Sequence, residues 1–291
     1  MLAHLNKLFV NFFIFLLLVS ISNFAYSAEK KIEFIKTNWS FEGIFGTFDR
    51  ASLQRGYQVY QEVCAGCHSV QHLSYRNLAE KGGPEFSLEE AKAIASQFEV
   101  TDGPDSDGEM FSRPARLSDK FVSPFPNKKA AAAANGGAYP PDMSVLVKAR
   151  KGGANYIYSL LLGYEAAPPD YELDEGVYYN NYMPGNKIMM AEPLVDEAVE
   201  YADGTKATKS QMAKDVTTFL TWASEPHLET SHRMGFKVFF YLIILLTLVY
   251  FSKQRVWSRF GSNKDEEKEE AFDKVEKVVT ECEGEDPKTF K

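Results

Sequence analysis

A chain of 291 residues with 45% hydrophobic and 25% charged residues has the composition of a folded protein, long enough for one large domain or two small ones. Its formal net charge of −8 argues against nucleic acid as a partner and favours a basic protein.

Residues 1–28 open with His4 and Lys7. They continue through an apolar run from Leu8 to Ile21 and end on Ala25-Tyr26-Ser27-Ala28. That order of regions predicts a secretory signal peptide cut after Ser27 or Ala28. The segment lacks the Arg-rich, amphipathic character of an organelle transit peptide, which points to a bacterium. Residues 29–46 read as a short strand or loop rich in aromatic residues and glycine.

A helix is expected from Asp49, which can cap its first turn, because Leu53, Tyr57, Tyr60 and Val63 recur at roughly helical spacing. It runs into Cys64-Ala65-Gly66-Cys67-His68, the Cys-x-x-Cys-His pattern that attaches a c-type haem. Thiols at i and i+3 lie on one face of a helical turn and can bond to one porphyrin, while the adjacent imidazole can ligate the iron. A thioredoxin-like pair has no use for that histidine. A zinc site lacks its fourth ligand, since the third cysteine is the remote Cys282. With two cysteines committed to haem, no disulfide can form within the exported domain.

Ser87 to Phe98 is the next expected helix, capped by Ser87 with Glu89 and Glu90 in its first turn. Thr101 to Arg116, rich in Asp, Gly and Pro, reads as loop. Ala130 to Ala134, Met143 to Arg150 and Tyr156 to Leu162 read as short helices, stopped by glycines after the first two. Pro168 to Gly185 reads as loop or short strand. Ser210 to Ala223 is amphipathic, with Met212, Val216, Phe219, Leu220 and Ala223 on one face, and Pro226 ends it.

Residues 234–252 are expected to cross a membrane once. Lys253, Arg255, Arg259 and Lys264 follow this run, against Arg233 and Lys237 around its start, so the C-terminus is expected in the cytoplasm. The division is therefore a signal peptide at 1–28, a periplasmic haem domain at 29–232, a single anchor at 234–252 and a charged cytoplasmic tail at 253–291. Residues 265–286 are expected to be disordered or a loose helix. The site of action is a bacterial inner membrane.

An electron-transfer haem takes a second axial ligand. Met212 belongs to a core face, Met110 to an acidic loop, His72 sits too close to His68, and His227 and His232 adjoin the membrane. Met183, Met189 and Met190 remain, and pattern alone does not choose among them.

Arg50-Ala51-Ser52-Leu53-Gln54-Arg55-Gly56-Tyr57-Gln58-Val59-Tyr60 leading into the haem motif resembles the cytochrome c1 family. So do Tyr139-Pro140-Pro141-Asp142-Met143-Ser144, Ala149-Arg150-Lys151-Gly152-Gly153, Tyr182-Met183-Pro184-Gly185 and Trp222-Ala223-Ser224-Glu225-Pro226. These motifs cover about residues 33 to 260. The resemblance implies a mainly α, class I cytochrome c-like haem domain with long loop insertions and one C-terminal transmembrane helix. It implies one haem c held covalently by Cys64 and Cys67. The iron ligands it implies are His68 and Met190, the Met of Met190-Ala191-Glu192-Pro193. Arg150 falls near the haem propionates, and Tyr156 and Pro141 at positions lining the haem.

The implied role is the electron-transfer subunit of ubiquinol–cytochrome c reductase, the cytochrome bc1 complex. In that role the chain sits with cytochrome b in a dimeric complex, takes an electron from the Rieske iron–sulfur protein and passes it to soluble cytochrome c. It counts as an enzyme only as a subunit of that reductase. The alternative is a free-standing anchored c-type cytochrome or an oxidase-associated shuttle. Acidic stretches at Asp170, Glu172, Asp174 and Glu175, and at Asp196, Glu197 and Glu200, are candidates to steer a basic cytochrome.

Overall fold

The computed structural model describes residues 32–283, apart from the side chains of 259–266 and of 278–283. The expected signal peptide lies outside the described residues. Helix α1 (Arg50–Val59) is capped by the Asp49 carboxylate, which accepts from the backbone of Ala51 and Ser52. Its buried face carries Ser52, Leu53, Gly56, Tyr57 and Val59. That face packs on α5 (Lys209–Ser224), capped by Thr208, whose Met212, Val216, Phe219, Leu220 and Trp222 are buried as the amphipathic pattern requires.

At the crossing the wholly buried Asp215 carboxylate accepts from Ser52 Oγ at 2.6 Å, from Arg55 Nε at 2.9 Å and from Gln211 Nε2 at 3.0 Å. A buried charge is tolerable only when paired and hydrogen-bonded in this way. Around the crossing Tyr57, Tyr60, Tyr75, Phe121 and Phe219 pack ring against ring, with Tyr75 and Phe121 stacked at 4.8 Å.

Helix α2 (Leu88–Ser96) is capped by Ser87 as expected, and Glu90 completes a reciprocal capping box with it. The stretch after it is not simply loop. β1 (Glu99–Asp102) pairs antiparallel with β2 (Phe111–Pro114), Val100 opposite Arg113, and Arg113 bridges Asp102 and Asp119. The two strands show no apolar alternation, so their pairing could not be read from periodicity.

α3 (Lys128–Ala134) and α4 (Gly153–Leu162) follow. Met143–Arg150 forms successive turns rather than the expected helix. The Met143 amide is taken by Ser69 O and the Ser144 amide by the Asp142 side chain, which draws out what would be a first helical turn. β3 (Tyr178–Tyr179) pairs with β4 (Lys187–Ile188).

The last helix, α6 (Leu228–Glu283), is continuous through the anchor and well into the charged tail. The tail is therefore helical as far as Glu283. Its stretch Leu228–Ser258 is long and apolar enough to cross a membrane. The chain is thus mainly helical, with few strands.

Candidate functional site

The site begins where α1 ends. After Val59 the chain widens into a π-helical turn, Tyr60–Cys64, closed by Ala65 N donating to Tyr60 O at 2.8 Å. Such single turns are frequent at functional sites because they re-aim the next residues. Cys67 and His68 then both donate backbone N–H groups to Cys64 O, at 3.1 and 2.9 Å. One tight turn therefore carries both thiols and the imidazole. Cys64 is half-buried against the core, Cys67 is exposed, and the space over Gly66 is open. Burial first, then the neighbouring Cys67, pushes the Cys64 thiol up to about 12.

His68 is oriented by a residue 73 positions away. Its Nδ1 lies 2.8 Å from Pro141 O. A carbonyl can only accept, so Nδ1 carries the proton and Nε2 of the neutral ring keeps its lone pair. Burial lowers the pKa of the ring, against the opposing pull of the Pro141 carbonyl and the Asp142 charge, which favours that neutral, ligating form.

Pro141 is held in turn by its neighbour. Asp142 accepts from Ser69 Oγ at 2.7 Å, Gln71 N at 3.0 Å and Ser144 N at 2.9 Å. With Met143 N on Ser69 O and His72 N on Ser144 Oγ, segment 141–144 is zipped along 68–72. Pro141 was expected as a lining residue. Its positioning carbonyl, and the role of Asp142, were missed, although the Pro-Pro-Asp-x-Ser run carries the Asx-turn chemistry that produces them.

The methionine segment is sewn to the far end of α4. Buried Asn180 donates to Leu160 O at 2.8 Å, Asn181 N to Gly163 O at 2.9 Å, and Tyr164 OH to Met190 O at 3.1 Å. Gly163 is required there, because a Cβ would lie 2.5 Å from the Tyr182 ring. Ile188 is buried, Met189 is 47% exposed and Met190 is half-buried. Tyr156 OH donates to Met183 Sδ at 3.7 Å. The Tyr156 ring packs edge-on to Phe34. Arg150 is exposed at the turn before α4 and donates to Ala149 O at 3.4 Å. The structure thus brings Cys64, Cys67, His68 and Pro141 together and pairs Tyr156 with Met183.

The donor set fits a c-type haem. Two free thiols and a neutral imidazole with a free Nε2 occupy one turn, the chemistry that covalent attachment and proximal ligation require. Soft thioethers are available in the segment bound to α4.

The model of the Cytochrome C1 family matches residues 39–260. A protein of Arabidopsis thaliana described as "Cytochrome c1 2, heme protein, mitochondrial" is 49% identical over 237 residues, 81% of this chain and 76% of that one. "Cytochrome c1" of Rhodospirillum rubrum is 43% identical over 257 residues, 83% of this chain and 93% of that one. "Cytochrome b/c1" of Bradyrhizobium diazoefficiens is 48% identical over 239 residues, 76% of this chain but 35% of that longer protein.

Proposed function

The chain belongs to the cytochrome c1 family, and we propose that it works as the electron-transfer subunit of a cytochrome bc1 complex. It accepts one electron from the Rieske iron–sulfur protein and delivers it to a soluble cytochrome c. The chain makes and breaks no substrate bond; reductase activity belongs to the complex with cytochrome b. One haem c, attached through Cys64 and Cys67, supplies a one-electron iron couple when bound.

The observation that carries this reading is the hydrogen bond from His68 Nδ1 to Pro141 O, which fixes the ring and leaves a neutral Nε2 that could ligate a haem iron. Met190 would supply the second ligand, a thioether that favours the high potential a Rieske donor needs. With haem bound, His68 and Met190 together would hold the iron for electron transfer rather than oxygen chemistry. Arg150 would pair its guanidinium fork with a haem propionate, and Tyr156 and Pro141 would line the haem. The acidic run Asp170 to Glu175 steers the basic acceptor.

The haem domain, 29–232, lies on the periplasmic side of a bacterial inner membrane in a dimeric complex. Residues 1–28 are its secretory signal, 234–252 its anchor and 253–291 its cytoplasmic tail.

The test is a redox titration in membranes of the native chain against Met190→Leu and Met183→Leu. Met190→Leu is expected to lower the potential by a sizeable part of the roughly 0.8 V that axial ligands span, and to admit carbon monoxide to the reduced iron. Met183→Leu is expected to leave both readouts near native. The reverse pattern would move the ligand to Met183. Failure of cytochrome b and the Rieske protein to co-purify in detergent would refute the complex.

A further inference from the structure

α6 leaves the haem domain through a joint of three rungs. Its Glu229 carboxylate accepts from both Arg50 Nη atoms at 2.8 Å and from Phe48 N at 2.9 Å. His232 Nδ1 lies 3.3 Å from Gly46 O. The Phe236 ring stacks on Phe45 with centroids 5.2 Å apart and planes within 19°. Positions 229, 232 and 236 are spaced i, i+3, i+7 and so share one helix face. At 1.5 Å per residue the rungs descend about 10 Å along α6, while the partner chain retreats from Phe48 through Gly46 to Phe45. The turn 39–48 therefore runs down the helix in the direction of its apolar stretch.

The turn is built to hold that course. Trp39, Phe41 and Phe48 are buried, with the Phe41 ring against both others. Between these shoulders the chain reverses at Gly43, whose φ is +82°, and Gly46 N returns to Gly43 O at 3.1 Å. A Cβ on Gly46 would lie 2.2 Å from Phe41 O, so only glycine closes the turn. The tip it projects is Ile44, 67% exposed, and Phe45, 76% exposed. Two adjacent large apolar side chains held out from a well-packed core call for a non-aqueous cover. Phe236 supplies the depth marker. It lies one helical turn before Phe239 and Phe240, which are fully part of the apolar stretch, and beside Lys237, whose stem can reach back to the headgroups.

We propose that Ile44 and Phe45 form a second, non-spanning membrane contact. The turn tip inserts into the bilayer interface beside α6, with the two side chains among the ends of the acyl chains. This rests on α6 crossing the membrane.

The experiment places a benzophenone amino acid at Phe45 in the full chain within its complex in native membranes, with the same substitution at Phe240 in a parallel sample. After irradiation, adducts are located by mass spectrometry. The expected result is a phospholipid mass shift on the tryptic peptide 37–50 from the first sample and on the α6 peptide from the second. A lipid adduct at 240 with none at 45 overturns the proposal, as does a cross-link from 45 to another polypeptide. Lipid adducts at neither position overturn the membrane crossing itself, and the proposal with it. A benzophenone at Ile44 repeats the test from the neighbouring position, and an unchanged haem spectrum certifies the fold of each sample.

Discussion

Replacing Gly56 by alanine tests how α1 and α5 hold the haem turn. A Cβ at Gly56 would lie 2.1 Å from Asp215 O, 2.6 Å from Asp215 C and 2.8 Å from Phe219 Cβ. Ordinary contact begins near 3.4 Å, so the α5 backbone must retreat by more than about 1 Å, and backbone has no rotamer by which to yield. Over-packing of this kind costs about 1–3 kcal/mol. The retreat also stretches the bond from Ser52 Oγ to the buried Asp215, at 2.6 Å, where a charge-assisted bond contributes about 1.5–3 kcal/mol. Better helix propensity returns about 1 kcal/mol.

The net loss is about 3 kcal/mol, a fall in Tm of roughly 6–12 °C for a domain of this size. Gly66→Ala is the control, because nothing lies within 4 Å of a Cβ there although it sits inside the haem motif. Melting of the detergent-solubilised chain, followed by circular dichroism at matched scan rates, gives the comparison. A Gly56→Ala chain that melts within about 2 °C of native would refute the close-crossing argument.

Arg55→Met leaves the wholly buried Asp215 without its cation and is expected to cost about 3–5 kcal/mol, much of it recovered in Arg55→Met with Asp215→Leu; equal melting of single and double variants would contradict this. Asp142 ties Pro141 to the haem turn. Burial works to raise its pKa, but hydrogen bonds from Ser144, Ser69 and Gln71 outweigh it and hold the carboxyl below its usual value. Such a group stabilises fully above its unfolded pKa of about 3.9, and its contribution is lost as pH falls through the lower folded value. Stability should therefore drop on acidification below about pH 4, and Asp142→Asn, lacking a second acceptor oxygen, should lose about 1–3 kcal/mol at neutral pH and flatten that acid limb. Tyr156→Phe removes the donor to Met183 Sδ and is expected to leave carbon monoxide excluded; binding of the gas would give Met183 the role assigned to Met190.

What was legible in the chain was local. The Asp49 cap, the Ser87–Glu90 box, the stripe of α5 and the Cys-x-x-Cys-His turn each follow from residues within a few positions of one another. What was not legible depends on distant partners. The β1–β2 hairpin is fastened by Arg113 reaching Asp102 and Asp119 across an exposed, polar pair of strands. Met143, Leu146 and Val147 have helical spacing, but residues 142–144 pair with 69–72, leaving only local turns over 144–149, and the left-handed Gly152 ends the run. The three methionines look alike in sequence, and the contacts of their segment, Tyr156 to Met183 Sδ and Tyr164 to the Met190 carbonyl, come from residues distant in the chain. The orienting carbonyl of Pro141 is backbone, which no side-chain pattern can announce.

One helix joins the two halves of the functional reading. The first residue of α1, Arg50, clamps Glu229 of the anchor helix, and the π turn that follows α1 ends on Cys64. The intervening 50–64 stretch spans about 20 Å of continuous helical backbone. Its middle is fixed to α5 by Gly56 and by the buried Asp215 network. A strut held at both ends and at its centre leaves the haem turn little freedom to tilt or rise relative to the anchor. On the proposed reading, the height of the site over the membrane would be set by covalent geometry and core packing rather than by a linker. The methionine segment 183–190 shares this frame, because α4, to which it is sewn, packs on α5. A one-electron relay would benefit, since ligands that do not move when the charge changes keep reorganisation small, and the buried Asp215 network at the middle of α1 supplies that rigidity.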